Sequence, residues 1–339
     1  MNWLIDSSRP LDMICMGRVA VDFYSEQIGS SIAESKTFCK YLGGCAGNIA
    51  VGSARLGLRT SMLSCIGQDE LGQFLKNELH RENVDTQLLR ETSKHLTGLV
   101  VLGVNPPDRF PLIFYRERCA DMQIKKRDIN KKIFSTAKSL LITGTGLSTK
   151  SMRATSHFAV ATAQAVNTKI IFDLDYRPVL WGLTAQGDGE SRYKVSQRVS
   201  EEYQTMLPKC DLIVGTGEEI LIAGNANDVE LALKNIRTFT AAPIVLKRGE
   251  QGCAIYLEDM SQPISAKPFP VKILNVLGAG DAFLSGLMRG LLRGETWQTA
   301  ATYANACGAI VVTRHGCAPA MPFFKEMQQF IEERACLNF

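Results

Sequence analysis

The chain has 339 residues, of which 45% are hydrophobic and 21% are charged. This ordinary globular composition excludes disorder on a large scale and supplies enough apolar side chains for a large buried core. The formal net charge of +4 is small for this length and is dispersed, so it does not favour a nucleic acid or an anionic membrane as partner.

The cysteine and histidine patterns bear on the compartment of the protein. Ten cysteines are scattered without a CxxC pair, and the four histidines lack the spacing of a zinc site. Scattered cysteines in apolar contexts are typical of reduced, buried thiols. No apolar run approaches the length of a membrane span. The sequence therefore predicts a cytoplasmic protein with no membrane partner.

Apolar runs of strand length alternate with segments of helical period along most of the chain. The runs are Met13–Val21, Ser61–Ile66, Ser139–Thr143, Ile170–Leu174, Leu212–Val214 and Ile244–Leu246. The helical segments are Gly47–Leu56, Asp69–Glu82, Thr149–Ala165, Asp228–Thr238, Gly280–Leu292, Thr296–Val312 and Pro322–Arg334. This alternation predicts an α/β fold: a doubly wound, mostly parallel sheet with helices on both faces.

Two segments interrupt the alternation. Phe23–Tyr41 and Thr97–Tyr115 mix strand-like residues with turn residues and contain no convincing helix. We interpret them as a small β-sheet lid that projects from the main body. Because no repeat or linker is present, the sequence favours one domain over residues 1–339 with this lid.

Polar and glycine-rich clusters follow several of the predicted strands. They are Asp22, Gly43-Gly44, Asp173 with Asp175, the segment 215–219 and the segment 247–249. Ligands of doubly wound sheets bind where the strands end and loops lead to the helices. The convergence of these clusters on one edge predicts the binding site.

The segment 275–287 carries the best clue to chemistry. Gly278, Ala279 and Gly280 stand at the mouth of an apolar helix, where backbone N–H groups and the helix dipole suit an anion. Asp281 follows them, and a carboxylate beside an anion site repels the anion unless it has a task such as accepting a proton. The alternative is that Asp281 only caps the helix.

The acceptor side of the predicted site has three candidate groups. Gly43 and Gly44 allow close backbone approach, with Asn48 one turn into a helix, although a tight turn with a cap explains them equally. Arg116 on the lid is either a carboxylate or phosphate clamp or a surface arginine. Asp175 and Arg177, just past a strand, belong less easily to a core.

The opposite side has candidates for metal and phosphate. Glu218 is able to hold Mg²⁺ through water, but acidic residues are also expected at a helix N-terminus. Lys247 is free to reach a phosphate from what looks like a turn. Neither GxGxxG after the first strand nor GxxxxGK[ST] is present, so any nucleotide must use another loop.

The order and spacing of these residues resemble the ribokinase-like carbohydrate kinase family, from about Asp12 to Pro322. Within that family, three longer strings look like the 5-dehydro-2-deoxygluconokinases of myo-inositol breakdown. These strings are 114–121, 173–181 and 314–322.

The resemblance implies transfer of the γ-phosphoryl group of ATP to the C6 hydroxyl of 5-dehydro-2-deoxy-D-gluconate. It implies ATP and Mg²⁺ as cofactors, with room for a monovalent cation such as K⁺ near the Asn275–Gly280 turn. The implied partners are small molecules, the sugar acid and ATP. An edge of the lid sheet offers a route to a homodimer.

The resemblance also implies a role for each matching residue. Asp281 is the base, and Gly278, Ala279 and Gly280 form an anion hole. The implied acceptor-binding residues are Asp22, Gly43, Gly44, Asn48, Tyr115, Arg116, Asp175 and Arg177, with both arginines on the carboxylate. The implied nucleotide-binding residues are Lys247, Gly249, Gly252 and Asn305, and Glu218 is the implied metal residue, acting through water.

The chain departs from the family pattern at three places. Asn275-Val276 replaces the usual Asp-Thr, Gly215 replaces the Asn of the metal motif, and Asp175 replaces an expected Asn. Loss of the Asn at 215 would weaken an ordered water near Mg²⁺. The extra charge of Asp175 either compensates a cation or repels phosphate.

Two alternatives compete with this interpretation. The first is the same phosphoryl transfer to another acceptor. 2-Keto-3-deoxygluconate is then the leading candidate, and ribose, fructose and adenosine are weaker ones, because Arg116 and Arg177 favour an acid. A sugar-acid sensor without turnover is the alternative from another class, and Asp281 argues against it because a sensor needs no base.

Overall fold

The computed structural model describes residues 6–106, 109–260 and 262–336. Most of the described strands form one nine-stranded sheet in the order β13-β12-β11-β10-β9-β8-β1-β4-β5. Its strands are β1 (Leu11–Met16), β4 (Thr60–Gly67), β5 (Leu89–Thr92), β8 (Ala137–Thr143), β9 (Lys169–Asp173), β10 (Leu212–Thr216), β11 (Ile244–Lys247), β12 (Cys253–Tyr256) and β13 (Ile264–Ala266). All neighbours pair in parallel except the last two strands, which continue one edge as antiparallel pairs.

The remaining described strands form the small sheet, in the order β3-β2-β6-β7. They are β2 (Ala20–Ser25), β3 (Phe38–Gly43), β6 (Leu99–Leu102) and β7 (Leu112–Tyr115). β2 pairs in parallel with β6, and the other two pairs are antiparallel. The predicted small second sheet is therefore confirmed.

Ten α-helices lie within the described residues. They are α1 (Cys45–Arg55), α2 (Glu70–Arg81), α3 (Lys131–Phe134), α4 (Lys150–Gln164), α5 (Gln197–Gln204), α6 (Gly217–Gly224), α7 (Val229–Phe239), α8 (Ala279–Leu291), α9 (Trp297–Val312) and α10 (Phe324–Cys336). Side-chain caps start several of them, including Asp69 before α2, Thr149 before α4 and Asp228 before α7.

The helices cover both faces of the main sheet. One face packs under α1, α2, α8 and α9, and the other under α4 to α7, each with its own buried apolar layer. The central strands are buried along their whole length, as expected for parallel strands covered on both sides. The predicted doubly wound α/β fold is confirmed.

Some predicted boundaries were wrong. The run Met13–Val21 is two strands: β1 ends at Met16, and the chain turns through Gly17 and Arg18 into β2 of the small sheet. An apolar run does not show where it changes sheet, because both strands are buried. The α10 helix begins at Phe324, two residues beyond the predicted Pro322.

Six of the described helices and strands had no counterpart among the predictions. The helices α3, α5 and α6 are short, and the strands β5, β12 and β13 contain only four, four and three residues. Such lengths give too few turns or alternations for a recognisable period.

The nine cysteines with described side chains are all free. No helix within the described ranges combines the length and hydropathy needed to cross a membrane.

Candidate active site

Neighbouring parallel strands of the main sheet end at one edge, and polar side chains follow each of them. The strands contribute these residues in sheet order: Lys247 ends β11, Thr216 ends β10 and Glu219 follows it, Asp173 ends β9 and Asp175 follows it, Thr145 follows β8, and Arg18 follows β1. The N-termini of α1 and α8 meet the same edge, since Asn48 of α1 contacts Asp281 of α8. The edge predicted from the sequence is therefore where these groups meet.

Asp281 lies in the first turn of α8 and is partly exposed. Asn48 Nδ2 donates a hydrogen bond to Asp281 Oδ2 over 2.7 Å. Burial raises the pKa of Asp281 above its usual value, and the Asn48 hydrogen bond acts against this rise. A carboxylate with a raised pKa is a stronger base than an ordinary one, which suits proton abstraction from a hydroxyl.

The turn before Asp281 is a left-handed cap. Gly278 has φ of 85°, and a Cβ on it would lie 2.9 Å from Cys317 Sγ, so this position requires glycine. The first N–H groups of a helix have no partner within the helix. The Ala279 N–H makes only a long contact, 3.4 Å, to the Val276 carbonyl. The predicted anion hole thus has helix-terminal N–H groups close to Asp281.

Arg18 joins the acceptor side of the site to the sheet. It is buried, and its Nη2 lies 2.8 Å from Asp175 Oδ2, which also accepts from Thr145. Arg177 Nε lies 3.3 Å from the other oxygen, Asp175 Oδ1. Burial alone would raise the pKa of Asp175, but Arg18 and Arg177 outweigh it and hold that pKa well below its usual value. The negative charge of Asp175 is therefore compensated by Arg18 and Arg177.

Asp22 and Arg116 lie in the wall formed by the small sheet. Burial raises the pKa of Asp22 to about 7, although Arg18 and Arg116 act against the rise. A Cβ on Gly43 would lie 2.0 Å from Asp22 Oδ2, so the glycine makes room for this carboxylate. Gly44, at the cap of α1, has φ of 87°.

Arg116 is buried and forms an ion pair with Asp121. Its Nε and Nη1 atoms are buried and have no partner among the described residues. Buried guanidinium nitrogens without an acceptor are costly, and an incoming anion such as a carboxylate would satisfy them. The arginine thus has donors available for a ligand.

Lys247 lies between two carboxylates. Its Nζ is 3.2 Å from Asp173 Oδ1 and 3.8 Å from Glu219 Oε2. Burial alone would lower the pKa of Lys247, but the two carboxylates outweigh it and hold the pKa above its usual value. A Cβ on Gly280 would lie 3.4 Å from Lys247 Nζ. The ammonium group therefore sits directly beside the glycine turn.

A cavity of about 790 Å³ opens beside this lysine. Apolar side chains line much of it, including Phe269, Val271, Ile273 and Val312. The predicted nucleotide-binding residues Lys247, Gly249, Gly252 and Asn305 all line it, together with Ala279 and Gly280. Asn305 Nδ2 donates to the carbonyls of Ala266 and Lys267, which fixes the wall. Its size and apolar walls suit a heterocyclic base.

Two of the predicted residues do not join the buried part of this centre. The Tyr115 side chain is 60% exposed and lines a second cavity on the other face of the small sheet, with Leu96 and Leu99. Glu218 is exposed in the first turn of α6, whereas Glu219 beside it is buried and accepts from the Tyr176 and Thr216 N–H groups.

Several residues of the site escaped sequence reasoning. They are Arg18, Cys45, Asp121 and Cys317. Arg18 had a usable signal, because a charged residue directly follows a buried strand there. Asp121 and Cys317 had none, since only tertiary packing brings them onto Arg116 and Gly278.

Comparison with known proteins agrees with this geometry. The pfkB family of carbohydrate kinases matches residues 11–323. The 5-dehydro-2-deoxygluconokinase of Clostridium tetani is 35% identical to the chain and covers 98% of it, with 97% of that protein matched. The corresponding protein of Geobacillus kaustophilus is 31% identical, with 97% and 96% matched.

A solved structure shares the fold. It is a fructokinase double mutant of Vibrio cholerae O395 with fructose, ADP and potassium ion bound. It superposes with a TM-score of 0.82 at 23% identity, over 95% of this chain and 99% of that one. The family match, which extends over nearly the whole length, and the shared fold lead to one conclusion: the chain belongs to the pfkB family of carbohydrate kinases.

Proposed function

We propose that the chain transfers the γ-phosphoryl group of ATP to the C6 hydroxyl of 5-dehydro-2-deoxy-D-gluconate, in myo-inositol catabolism. The observation that carries the proposal is the position of Asp281. It follows Ala279 and Gly280, which bound the apolar cavity, and it contacts Asn48, while Arg177 is near enough to lower its pKa. The likeness to relatives of that name over nearly the whole chain supports the choice of acceptor.

In this proposal Asp281 accepts the proton of the attacking hydroxyl. Its raised pKa makes it a stronger base than an ordinary carboxylate, and Asn48 keeps its carboxylate oriented. The helix-terminal N–H groups of the turn Gly278–Gly280 and the Lys247 ammonium group stabilise the negative charge of the moving phosphoryl group.

The sugar acid binds among the polar side chains beside Asp281. Arg116 offers its two unpartnered nitrogens to the carboxylate, and Arg177, which pairs with Asp175, is the second arginine of the clamp. The buried Asn48 Oδ1, which has no partner among the described residues, and the buried Asp22 carboxyl are available to hydroxyl groups of the acceptor. Neutral sugars would leave the Arg116 donors unsatisfied, which favours an acid.

The residues fit ATP as the donor. Apolar walls suit the base, and the turn Gly249–Gly252 with Asn305 borders the same cavity. Mg²⁺ supplies charge neutralisation on the phosphates when it is bound, and Glu218 would reach it through water. In this proposal a monovalent cation such as K⁺ lies near the Asn275–Gly280 turn; the fructokinase structure of the same fold has a potassium ion bound.

The experiment is ADP release from Mg-ATP with purified protein, compared by kcat/KM across five acceptors. These are 5-dehydro-2-deoxygluconate, 2-keto-3-deoxygluconate, ribose, fructose and adenosine. We expect a clear preference for the first. A preference for another acceptor would keep the kinase chemistry and remove the acceptor assignment, whereas no turnover with any of them would favour a sensor.

A further inference from the structure

We infer that Cys45 is a positioning residue for the phosphoryl transfer, because its thiol lies within 4.8 Å of a carboxylate oxygen of both Asp281 and Asp173, where it can donate a hydrogen bond to the base. This inference rests on the proposed function, since it takes Asp281 as the base. Nothing in the family resemblance assigned a role to Cys45.

The geometry begins at the N-terminus of α1. Cys45 is its first residue and Asn48 the fourth, so both side chains lie on one face of the helix. Asn48 reaches Asp281 Oδ2 over 2.7 Å, and Cys45 Sγ lies 3.4 Å from Asp173 Oδ2. The sulfur and one oxygen each of Asp173 and Asp281 all lie within 4.8 Å of one another. One helix turn therefore places an amide donor on the base and a thiol donor beside it.

The thiol stays protonated in this environment. Cys45 is only 4% exposed, and burial together with nearby Asp175, Asp281 and Asp173 raises the pKa of its thiol well above the usual value. A neutral S–H group is a hydrogen-bond donor, whereas a thiolate between carboxylates would repel both. Cys45 is thus suited to holding a carboxylate and unsuited to nucleophilic attack.

Cys45 also connects the base to the phosphate side of the site. Asp173, which accepts from the thiol through Oδ2, binds Lys247 through Oδ1. Lys247 lies beside Gly280. The thiol therefore lies between the base and the ion pair of Asp173 with Lys247. One S–H donates to one acceptor at a time, so it can turn to whichever carboxylate is ionised.

The pH dependence of the base reflects every charged or titratable group around it. These groups are Cys45 from α1, Asp22 from β2, Asp173 from β9, Asp175 and Arg177 from the loop after β9, Lys247 from β11, and Cys317 from the segment after α9. The Cys45 hydrogen bond favours the ionised form of Asp281. Removing it leaves the other groups in place and moves the titration of Asp281 upward.

The test compares Cys45→Ala with Cys45→Ser. In Cys45→Ala we expect the acidic limb of the kcat profile to move upward by about half to one pH unit, which equals a roughly three- to tenfold loss of kcat at pH values on that limb. Cys45→Ser keeps a hydrogen-bond donor of similar size. Its acidic limb should therefore lie at the same pH as in the original protein, or at a lower one. Cys210→Ala removes another buried thiol, at the opposite end of β10, and should leave the profile unchanged.

A second readout does not depend on turnover. The Asp281 carboxyl is titrated by ¹³C NMR in protein labelled at the aspartate side chains, with Asp281→Asn for assignment. Its pKa should rise in Cys45→Ala and not in Cys45→Ser. Equal values in all variants, or an upward shift in both, would overturn the positioning role. If the unmodified protein shows no turnover but the pKa of the Asp281 carboxyl still rises in Cys45→Ala, the proposed function alone would be overturned.

Discussion

Four aspartates lie in one site, and their surroundings push their proton affinities in opposite directions. Asp22 is buried near Arg18 and Arg116 without an ion pair of its own, and its pKa is raised to about 7. Asp175 is equally buried, but two arginines contact it directly, and its pKa is lowered. Direct partners thus decide which carboxyl stays charged and which is available to exchange a proton.

Asp281→Asn tests the base. The amide keeps the size and the contact with Asn48 but cannot accept the hydroxyl proton. We expect kcat to fall by about 10²- to 10⁴-fold, the usual contribution of general-base catalysis. Circular dichroism and Mg-ATP affinity should remain close to those of the original protein. Turnover within a few fold of the original would show that Asp281 only caps α8.

Arg116→Ala and Arg177→Ala test the choice of an acid acceptor. Loss of a charge-assisted hydrogen bond to the carboxylate should raise KM for 5-dehydro-2-deoxygluconate by about 10- to 100-fold. The KM for a neutral sugar should change little. Arg118→Ala, which removes an exposed arginine of the same segment, serves as the matched control. Equal effects on acid and neutral acceptors would contradict the clamp.

Asp22→Asn tests the link between burial and stability. The folded pKa of Asp22 is about 7, above its usual range, so the folded state binds more protons and loses stability as pH rises from about 4 to 7. The amide avoids this loss. At pH 8 we expect the unfolding free energy of Asp22→Asn to exceed that of the original protein by about 2 to 4 kcal/mol. The variant should therefore also unfold at a higher temperature. At pH 4 this gain in unfolding free energy should vanish. A difference between the two proteins that stays constant from pH 4 to pH 8 would contradict the raised pKa of Asp22.

At the scale of elements, the start of α8 depends on a contact between distant parts of the chain. The left-handed turn at Gly278 packs on Cys317, whose sulfur lies 2.8 Å from the Tyr24 hydroxyl of β2. Tyr24 also contacts the rings of Tyr41 and His315. The anion-binding turn and the small sheet are therefore packed against a common segment.

Gly278→Ala and Gly280→Ala separate the turn from the helix. Alanine at Gly278 meets both a positive φ and the Cys317 sulfur, so we expect a loss of about 1 to 3 kcal/mol in unfolding free energy. Alanine at Gly280 has ordinary helical backbone and a neighbour at 3.4 Å, the flexible end of Lys247, and should leave stability nearly unchanged. Denaturant titration measures both. Equal destabilisation would argue against the strained turn.

At the scale of the whole molecule, the small sheet has two different faces. One face contributes Tyr24, Val100 and Leu112 to a buried cluster with Leu277 and Cys317. The other leaves Leu96 76% and Tyr115 60% exposed. Exposed apolar side chains together on one surface indicate contact with another protein surface.

We predict a homodimer through this outer face. Sedimentation velocity should show a dimer at micromolar concentration, and Leu96→Glu should shift it to the monomer because a charge would be buried in the interface. Val195→Glu changes another exposed apolar residue, 62% exposed, and should leave the dimer intact. A monomer in the original protein would contradict the prediction.

The sequence by itself determined the fold class and the edge of the sheet that carries the site. Alternating apolar runs and helical periods report burial directly, and the glycine turn before Asp281 is a local signal because Gly278 must adopt a positive φ. The lengths of α3, β12 and β13 hid them, because three or four residues carry no period.

Only the tertiary structure decided the partners of the charged groups. It paired Arg18 with Asp175 across 157 positions, brought Asn48 onto Asp281 across 233, and turned Tyr115 away from the centre. The physical reason is that burial and proton affinity depend on neighbours in space. A strand's alternation shows which residues share a face, but the packing of two sheets against their helices decides which face meets the ligand.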